Sequence, residues 1–263
     1  MPIIYTPSGA AREYSPHAAN LYIGCSHRCQ YCYAPHALQR TPSAYFGTPA
    51  PRRDVLKLLD QDLQKQRYTK QILLSFIGDV YGETADHCAT TRAALQLLDY
   101  YQAPVAILSK GGERMLRDLD VFREFGARIM VGSTLTFLNE AKSREWESGA
   151  ALPAERLAVL KTLREAGVRT FASFEPTIEP AESLRLIERT LQDNSVDTYK
   201  IGKLNHYKGL DKAHDWADFL QQSLDMLRGT GKQVYIKSAL RQAAPHIPLH
   251  DDEQDAERWN VRV

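Results

Sequence analysis

A chain of 263 residues, 43% hydrophobic and 25% charged, carries enough apolar surface for a full core, which excludes a disordered chain, a collagen-like repeat or a small disulfide scaffold. Lys and Arg number 33 against 32 Asp and Glu, a formal net charge of +1, so no global field gathers polyanions. A nucleic-acid partner would need a local basic groove, for which Arg12, Arg28, Arg40, Arg52 and Arg53 are the candidates, with scattered surface arginines as the plainer reading.

Neither the mixed opening MPIIYTPSGAAREYSP nor any later stretch stays apolar long enough for a signal peptide or membrane span, so the expectation is a cytoplasmic protein with no membrane partner. From Asn20 onward, short β-rich runs alternate with stretches of helical period. Strands are expected at Leu21 to Gly24, Ile72 to Phe76, Val105 to Leu108, Arg128 to Ser133, Arg169 to Phe174 and Thr198 to Ile201. Helices are expected at Asp54 to Gln66, Ala85 to Tyr101, Glu113 to Phe125, Ala154 to Ala166, Ala181 to Gln192 and His214 to Arg228. Gly126 and Gly167 stand just past helix ends, and Pro153 stands where a first turn begins. Six such units predict an α/β fold, a partial (β/α)6 TIM-like barrel. One domain spans 1–263, with a barrel core over 20–205. Residues 206–263 then supply a helix, a candidate extra strand at Gln233 to Ile236 and a surface tail from Ala244.

Three of the four cysteines, Cys25, Cys29 and Cys32, fall in C-x3-C-x2-C spacing just after the first expected strand. On a regular helix they would spread over about 10 Å, too far to reach one compact centre, so a wrapped loop is expected. Its place beyond a strand end is where barrel active sites are built. Thiolates select zinc, copper(I) or iron–sulfur clusters, and three ligands are one short of a closed site. Cys88, on an expected helix, reads as a buried apolar residue. His27 or His36 would complete a zinc knot, and a cubane lacking a fourth thiol would keep one iron open.

The run Asn20-Leu21-Tyr22-Ile23-Gly24-Cys25-Ser26-His27-Arg28-Cys29-Gln30-Tyr31-Cys32 resembles the cluster loop of radical S-adenosylmethionine (SAM) enzymes, and is most similar to their spore photoproduct lyase-like branch. The likeness runs from Ile4 to about Asn205 and includes the leader Ala11-Arg12-Glu13-Tyr14-Ser15. By that resemblance, Cys25, Cys29 and Cys32 bind three irons of a [4Fe-4S] cluster, and the amino and carboxylate groups of SAM chelate the fourth. An electron from the reduced cluster then cleaves SAM to methionine and a 5′-deoxyadenosyl radical that abstracts hydrogen from substrate. A reductase or a flavodoxin or ferredoxin electron donor is the implied partner.

The resemblance carries further residues to the rim. Tyr31 matches the aromatic before the last cluster cysteine, and Tyr31 and Tyr33 are candidates to pack on adenine, with ordinary core aromatics as the other reading. Gly78-Asp79-Val80-Tyr81 stands in place of a T-D-x-Y element, with Gly78 replacing Thr, and implies that Asp79 meets the SAM amino group. Ser109-Lys110 resembles a T-K element whose lysine reaches the SAM carboxylate. Ser133 matches a serine near ribose or the methionine end, and Glu175 is expected to contact SAM or substrate. Lys200, Lys203, Asn205, His206 and Tyr207 form a polar rim segment, and Arg117-Asp118-Leu119-Asp120 reads as a surface helix with paired charges.

One departure is sharp. Aligning on Asp79 puts Phe76 where the lyase has its hydrogen-donating cysteine, so thymine-dimer repair is not carried over. The expected function is hydrogen abstraction from an unidentified nucleobase, peptide or small metabolite. The competing reading is a non-catalytic zinc or iron–sulfur protein.

Overall fold

The computed structural model describes residues 2–47, 49–83, 85–205, 207 and 213–263, the side chains of 85–88 excepted. In chain order its strands are β1 (Ile4–Tyr5), β2 (His17–Ala19), β3 (Tyr22–Ile23), β4 (Ala50–Pro51), β5 (Ile72–Leu74), β6 (Val105–Ser109), β7 (Ile129–Thr134), β8 (Arg169–Thr177), β9 (Thr198–Lys203) and β10 (Gln233–Ile236). Its α-helices are α1 (Ala34–Ala37), α2 (Pro42–Gly47), α3 (Val55–Lys65), α4 (Ala85–Tyr100), α5 (Leu119–Phe125), α6 (Glu140–Trp146), α7 (Pro153–Glu165), α8 (Pro180–Gln192), α9 (Trp216–Leu227), α10 (Ser238–Ala243) and α11 (Asp251–Gln254).

The main sheet runs β1-β2-β5-β6-β7-β8-β9-β10, with β1 antiparallel to β2 and each later neighbour parallel. Alternation along each strand makes two faces. Leu73, Ala106, Met130 and Phe171 point into one inner cluster, while Ile72, Leu74, Val105, Ile107, Ile129 and Val131 pack beneath the helices. Burial on both faces is what a parallel sheet covered by helices demands, and it explains why these strands read as near-continuous apolar runs.

The first barrel strand is β2, not the expected Leu21 to Gly24. The chain leaves the main sheet at Asn20, whose Oδ1 accepts from the N–H groups of Phe76 at 2.9 Å and Ile77 at 3.1 Å beyond β5. Tyr22 and Ile23 then pair with β4 in a separate two-stranded ribbon. β10 is the candidate extra strand expected at Gln233 to Ile236, and with it seven strands of the main sheet are parallel among the described residues. The helix expected over Glu113 to Phe125 is a 3-10 turn, Gly112–Asp118, followed by α5.

Among the described residues β1 and β10 do not pair, and the gap is filled by both ends of the described chain. Glu13 accepts from Tyr235 Oη at 2.9 Å and from the N–H of Ser238 at 3.0 Å. Trp259 Nε1 donates to the Val234 carbonyl at 3.0 Å, and the N–H of Val261 donates to Gln71 Oε1 at 3.1 Å. The expected surface tail from Ala244 lies mostly at the surface, but Asn260 and Val261 near its end are buried and complete the core. No helix of the described residues is long and apolar enough to cross a membrane.

Candidate active site

The C-terminal ends of β5, β6, β7, β8 and β9 lead into Gly78-Asp79, Lys110, Thr134, Glu175 and Asn205, and the cysteine loop folds against this rim. Gly24 opens the loop with φ +89°, and a side chain there would meet the Tyr45 carbonyl oxygen at 2.7 Å and Pro49 Cα at 2.9 Å. Only glycine tolerates both the angle and that approach. Arg28, φ +51°, turns the chain again between the first two cysteines. Cys25, Cys29 and Cys32 carry no disulfide, and Cys29 is buried.

Asp79 anchors the loop. Its Oδ2 faces His27 Nε2 at 2.8 Å and accepts from the Lys110 N–H at 2.8 Å; its Oδ1 accepts from Ser109 Oγ at 2.6 Å and the Tyr81 N–H at 2.8 Å. A carboxylate has about four acceptor positions, and this chain fills them. Burial alone would raise the Asp79 carboxyl, but His27 and these donors outweigh it and hold it well below the usual range. His27 Nδ1 faces the Gly149 carbonyl at 3.0 Å, so both ring nitrogens are spent inside the fold and neither is free to complete a zinc knot.

Lys110 stands at the end of β6 with its Nζ 5.4 Å from the centroid of the Tyr31 ring and 4.0 Å from Glu147 Oε1. Burial lowers its ammonium, but Cys29 and Glu147 raise it further, so it stays a cation. Burial pushes the Cys29 thiol up to about 11 against the pull of Lys110. The three thiols also act on one another, each neighbour raising Cys25. As placed, no three His, Cys, Asp or Glu side chains among the described residues are gathered about one metal-ion position.

The other expected residues are placed as follows. Tyr31 directs its hydroxyl to Glu147 and, at 3.4 Å, to Thr136. Ser133 is fully buried, shares the strand face of Ile129 and Val131, and donates to the Ser109 carbonyl at 2.8 Å. Glu175 accepts from Tyr14 Oη at 2.9 Å, Asn205 Nδ2 at 3.1 Å and Lys237 Nζ. Tyr33 is exposed and donates to the Phe76 carbonyl at 3.2 Å.

Lys200 leaves the rim: it is buried in the barrel with Nζ 3.0 Å from the Tyr14 carbonyl, because its strand parity sends it inward. Lys203 lies over the Trp216 ring at 5.7 Å, and Tyr207 packs on Trp146 at 5.5 Å. Asp118 is buried rather than on the surface, accepting from Tyr81 Oη at 2.9 Å and Arg92 Nη1 at 3.0 Å. Of the arginines, Arg12 pairs with Glu257 at 2.7 Å and Arg53 with Asp54 at 3.5 Å. His206 and the Cys88 side chain lie outside the described residues.

Sequence reasoning missed Glu147 and Arg156. Both are buried; Arg156 Nη2 donates to Glu147 Oε2 at 2.5 Å, Nη1 to the Thr134 carbonyl at 3.0 Å and Nε to the Ala151 carbonyl at 2.7 Å. Nothing local signals the pair, since the turn that carries Glu147 meets the cysteine loop through a bridge to Cys29, more than a hundred residues earlier.

Residues 19–193 match the model of the Radical SAM superfamily, about two thirds of the chain and all three loop cysteines. The chain belongs to the radical SAM superfamily of enzymes. It is 31% identical over 160 residues to the uncharacterized protein MJ0683 of Methanocaldococcus jannaschii, covering 60% of this chain and 59% of that protein. It is 26% identical over 179 residues to the uncharacterized protein Rv2578c of Mycobacterium tuberculosis, covering 65% of this chain and 52% of that one. The matches thus span between half and two thirds of these relatives' length. Among solved structures, a spore photoproduct lyase mutant with bound AdoMet and dinucleoside spore photoproduct superposes with a TM-score of 0.61 at 13% identity, covering 94% of this chain and 66% of that one. Streptococcus suis SuiB bound to S-adenosylmethionine gives 0.59 at 13% identity, covering 89% and 53%. These likenesses extend the radical SAM assignment to the fold, a partial TIM barrel.

The donor set of this radical SAM chain suits an iron–sulfur cluster. Three soft thiols on a loop, beside the half-buried cation of Lys110 and with His27 spent elsewhere, form an incomplete thiolate set of the kind that leaves a corner for another ligand.

Proposed function

We propose that the chain reductively cleaves SAM at a [4Fe-4S] cluster held by Cys25, Cys29 and Cys32, and that the radical so made abstracts hydrogen from a substrate seated at the C-terminal mouth. The observation that supports this best is the pairing of three unbridged thiols with Lys110, a half-buried cation beside Cys29 on the same rim. When bound, the cluster supplies the electron that breaks the sulfonium and the open iron that SAM chelates.

The chain's own residues bind and orient. Lys110 is assigned to the SAM carboxylate as a charge-assisted partner, and Tyr31, held by its hydroxyl, presents its ring beside the last cluster cysteine for adenine. Asp79 and Ser133, with their polar atoms committed to this chain, are assigned to fixing the rim from behind: Asp79 grips the Lys110 N–H and Ser133 the Ser109 carbonyl. Glu175, joined to Lys237 and Asn205, is assigned to the substrate side of the mouth. The buried floor keeps water from the reacting centre. A reductase, flavodoxin or ferredoxin is the expected electron source. Phe76 supplies no thiol hydrogen, so the outcome is proposed as modification of a nucleobase, peptide or metabolite other than thymine-dimer repair.

Anaerobic purification should yield a brown protein with about four irons and matching labile sulfide per chain. Reduced protein incubated with SAM should then release 5′-deoxyadenosine. One zinc per chain, or no 5′-deoxyadenosine from an intact reduced cluster, would overturn the proposal in favour of a non-catalytic metal protein.

A further inference from the structure

We infer that Glu147 is the positioning residue that sets Lys110 and Tyr31 for SAM. The inference rests on reading Lys110 as the partner of the SAM carboxylate. Its starting point is a division of labour between the two oxygens of one fully buried carboxylate. Oε2 takes Arg156, whose other two nitrogens donate to the Thr134 and Ala151 carbonyls. A pair that only pinned the α6–α7 connection to the barrel would need nothing more. Oε1 instead faces the cysteine loop: it accepts from Tyr31 Oη and, at 3.0 Å, from Thr136 Oγ1, and it lies 4.0 Å from Lys110 Nζ. The backbone of the same residue bridges to Cys29. One side chain thus touches the residue before the third cysteine, while its main chain joins the second and its charge faces the rim lysine.

The geometry gives this arrangement a direction. Arg156 and Lys110 both bring a positive charge to Glu147, but only Arg156 is in hydrogen-bond contact with it, through Oε2. At 4.0 Å Lys110 is held by the field of Glu147 rather than by a short hydrogen bond, which leaves its donors free to turn toward a second carboxylate. Burial makes that field strong, because little water screens it. Tyr31, fixed at its hydroxyl, forms the wall over which the ammonium sits. Glu147 therefore acts on SAM only through Lys110 and Tyr31.

The test uses holoprotein prepared anaerobically and SAM itself as probe, with iron and sulfide content and the SAM dissociation constant as readouts. Glu147→Gln should keep its iron yet bind SAM at least about tenfold more weakly, as should Lys110→Met, and the double variant should be no weaker than the poorer single, the non-additivity expected of residues acting in one chain. Glu147→Gln leaves Arg156 buried and unpaired; if it does not fold, Glu147→Gln combined with Arg156→Met removes both charges and carries the same expectation. SAM affinity equal to wild type in a folded, cluster-bearing Glu147 variant, while Lys110→Met loses it, would reduce the pair to a structural brace and overturn the inference. Wild-type holoprotein that bound no SAM would instead overturn the functional reading on which the inference rests, and Lys110→Met at wild-type affinity would remove that lysine's role in the same way.

Discussion

His27 Nε2 lies 2.8 Å from Asp79 Oδ2 with both side chains buried, which ties the cysteine loop to the segment that follows β5. The other ring nitrogen of His27, Nδ1, lies 3.0 Å from the Gly149 carbonyl, so the imidazole is held at both ends. Asp79→Asn breaks this contact and turns an acceptor into a donor against the N–H of Lys110. Loss of one partner of a buried pair costs about 3–5 kcal/mol. The expected result is a clear fall in Tm with reduced iron retention, read by calorimetry and metal analysis; an unchanged Tm would refute the anchoring role.

The same carboxyl fixes a sign for acid sensitivity. Its folded-state pKa is depressed, so the stability it contributes is present above the unfolded carboxylate value, near 3.9, and is lost as pH falls below it. Urea midpoints between pH 6 and pH 3 should drop for wild type more steeply than for Asp79→Asn. Parallel curves would contradict this.

Lys200 gives the opposite window. Burial, reinforced by Lys237, lowers its ammonium to about 7, whereas in the unfolded chain it titrates near 10.4. Between those values the unfolded state binds more protons, so this group makes stability rise with pH. Wild type should therefore gain on Lys200→Met as pH climbs from 7 to 10, measured as the difference in Tm. A difference that does not change with pH would show the amine to be ordinary.

Cys29→Ala should abolish cluster retention after anaerobic reconstitution while far-UV circular dichroism stays that of wild type, because the loop is held by backbone contacts at Gln30, Cys32 and Gly149 that the thiol does not make. Global unfolding would show that the sulfur itself carries the fold.

Gly24→Ala should act earlier. Its Cβ would stand 2.7 Å from the Tyr45 carbonyl oxygen at a φ of +89°, a strained conformation worth about 1–3 kcal/mol. Reduced iron uptake with a modest fall in Tm is expected; full iron content would mean that the loop can re-form without glycine.

Legibility followed the range of the interactions. The strands β5, β6 and β7 could be read because each is a short, mostly apolar run buried on both faces, a property of the residues themselves. The place of the first barrel strand could not, because Asn20 leaves the sheet to bond the N–H groups of Phe76 and Ile77, fifty-six and fifty-seven residues away. The segment after Ala244 has the composition of a tail, yet Asn260 and Val261 are buried by contacts to residues far earlier in the chain. Nothing local to Asp118 announces its burial either, because Tyr81 and Arg92, which close over it, come from an earlier part of the chain.

For the site, the sequence by itself determined the donor chemistry: three thiols in a fixed spacing, a glycine before them, and a lysine past a buried strand. Those are properties of side-chain type and local distance. Only the tertiary structure decided which polar atoms remain available, giving Asp79 and His27 to the loop and Lys200 to the floor, and bringing Glu147 and Arg156 under Lys110. The reason is physical: a buried charge survives only where the whole fold supplies its partners, and those partners come from strands and turns that no sequence window contains together.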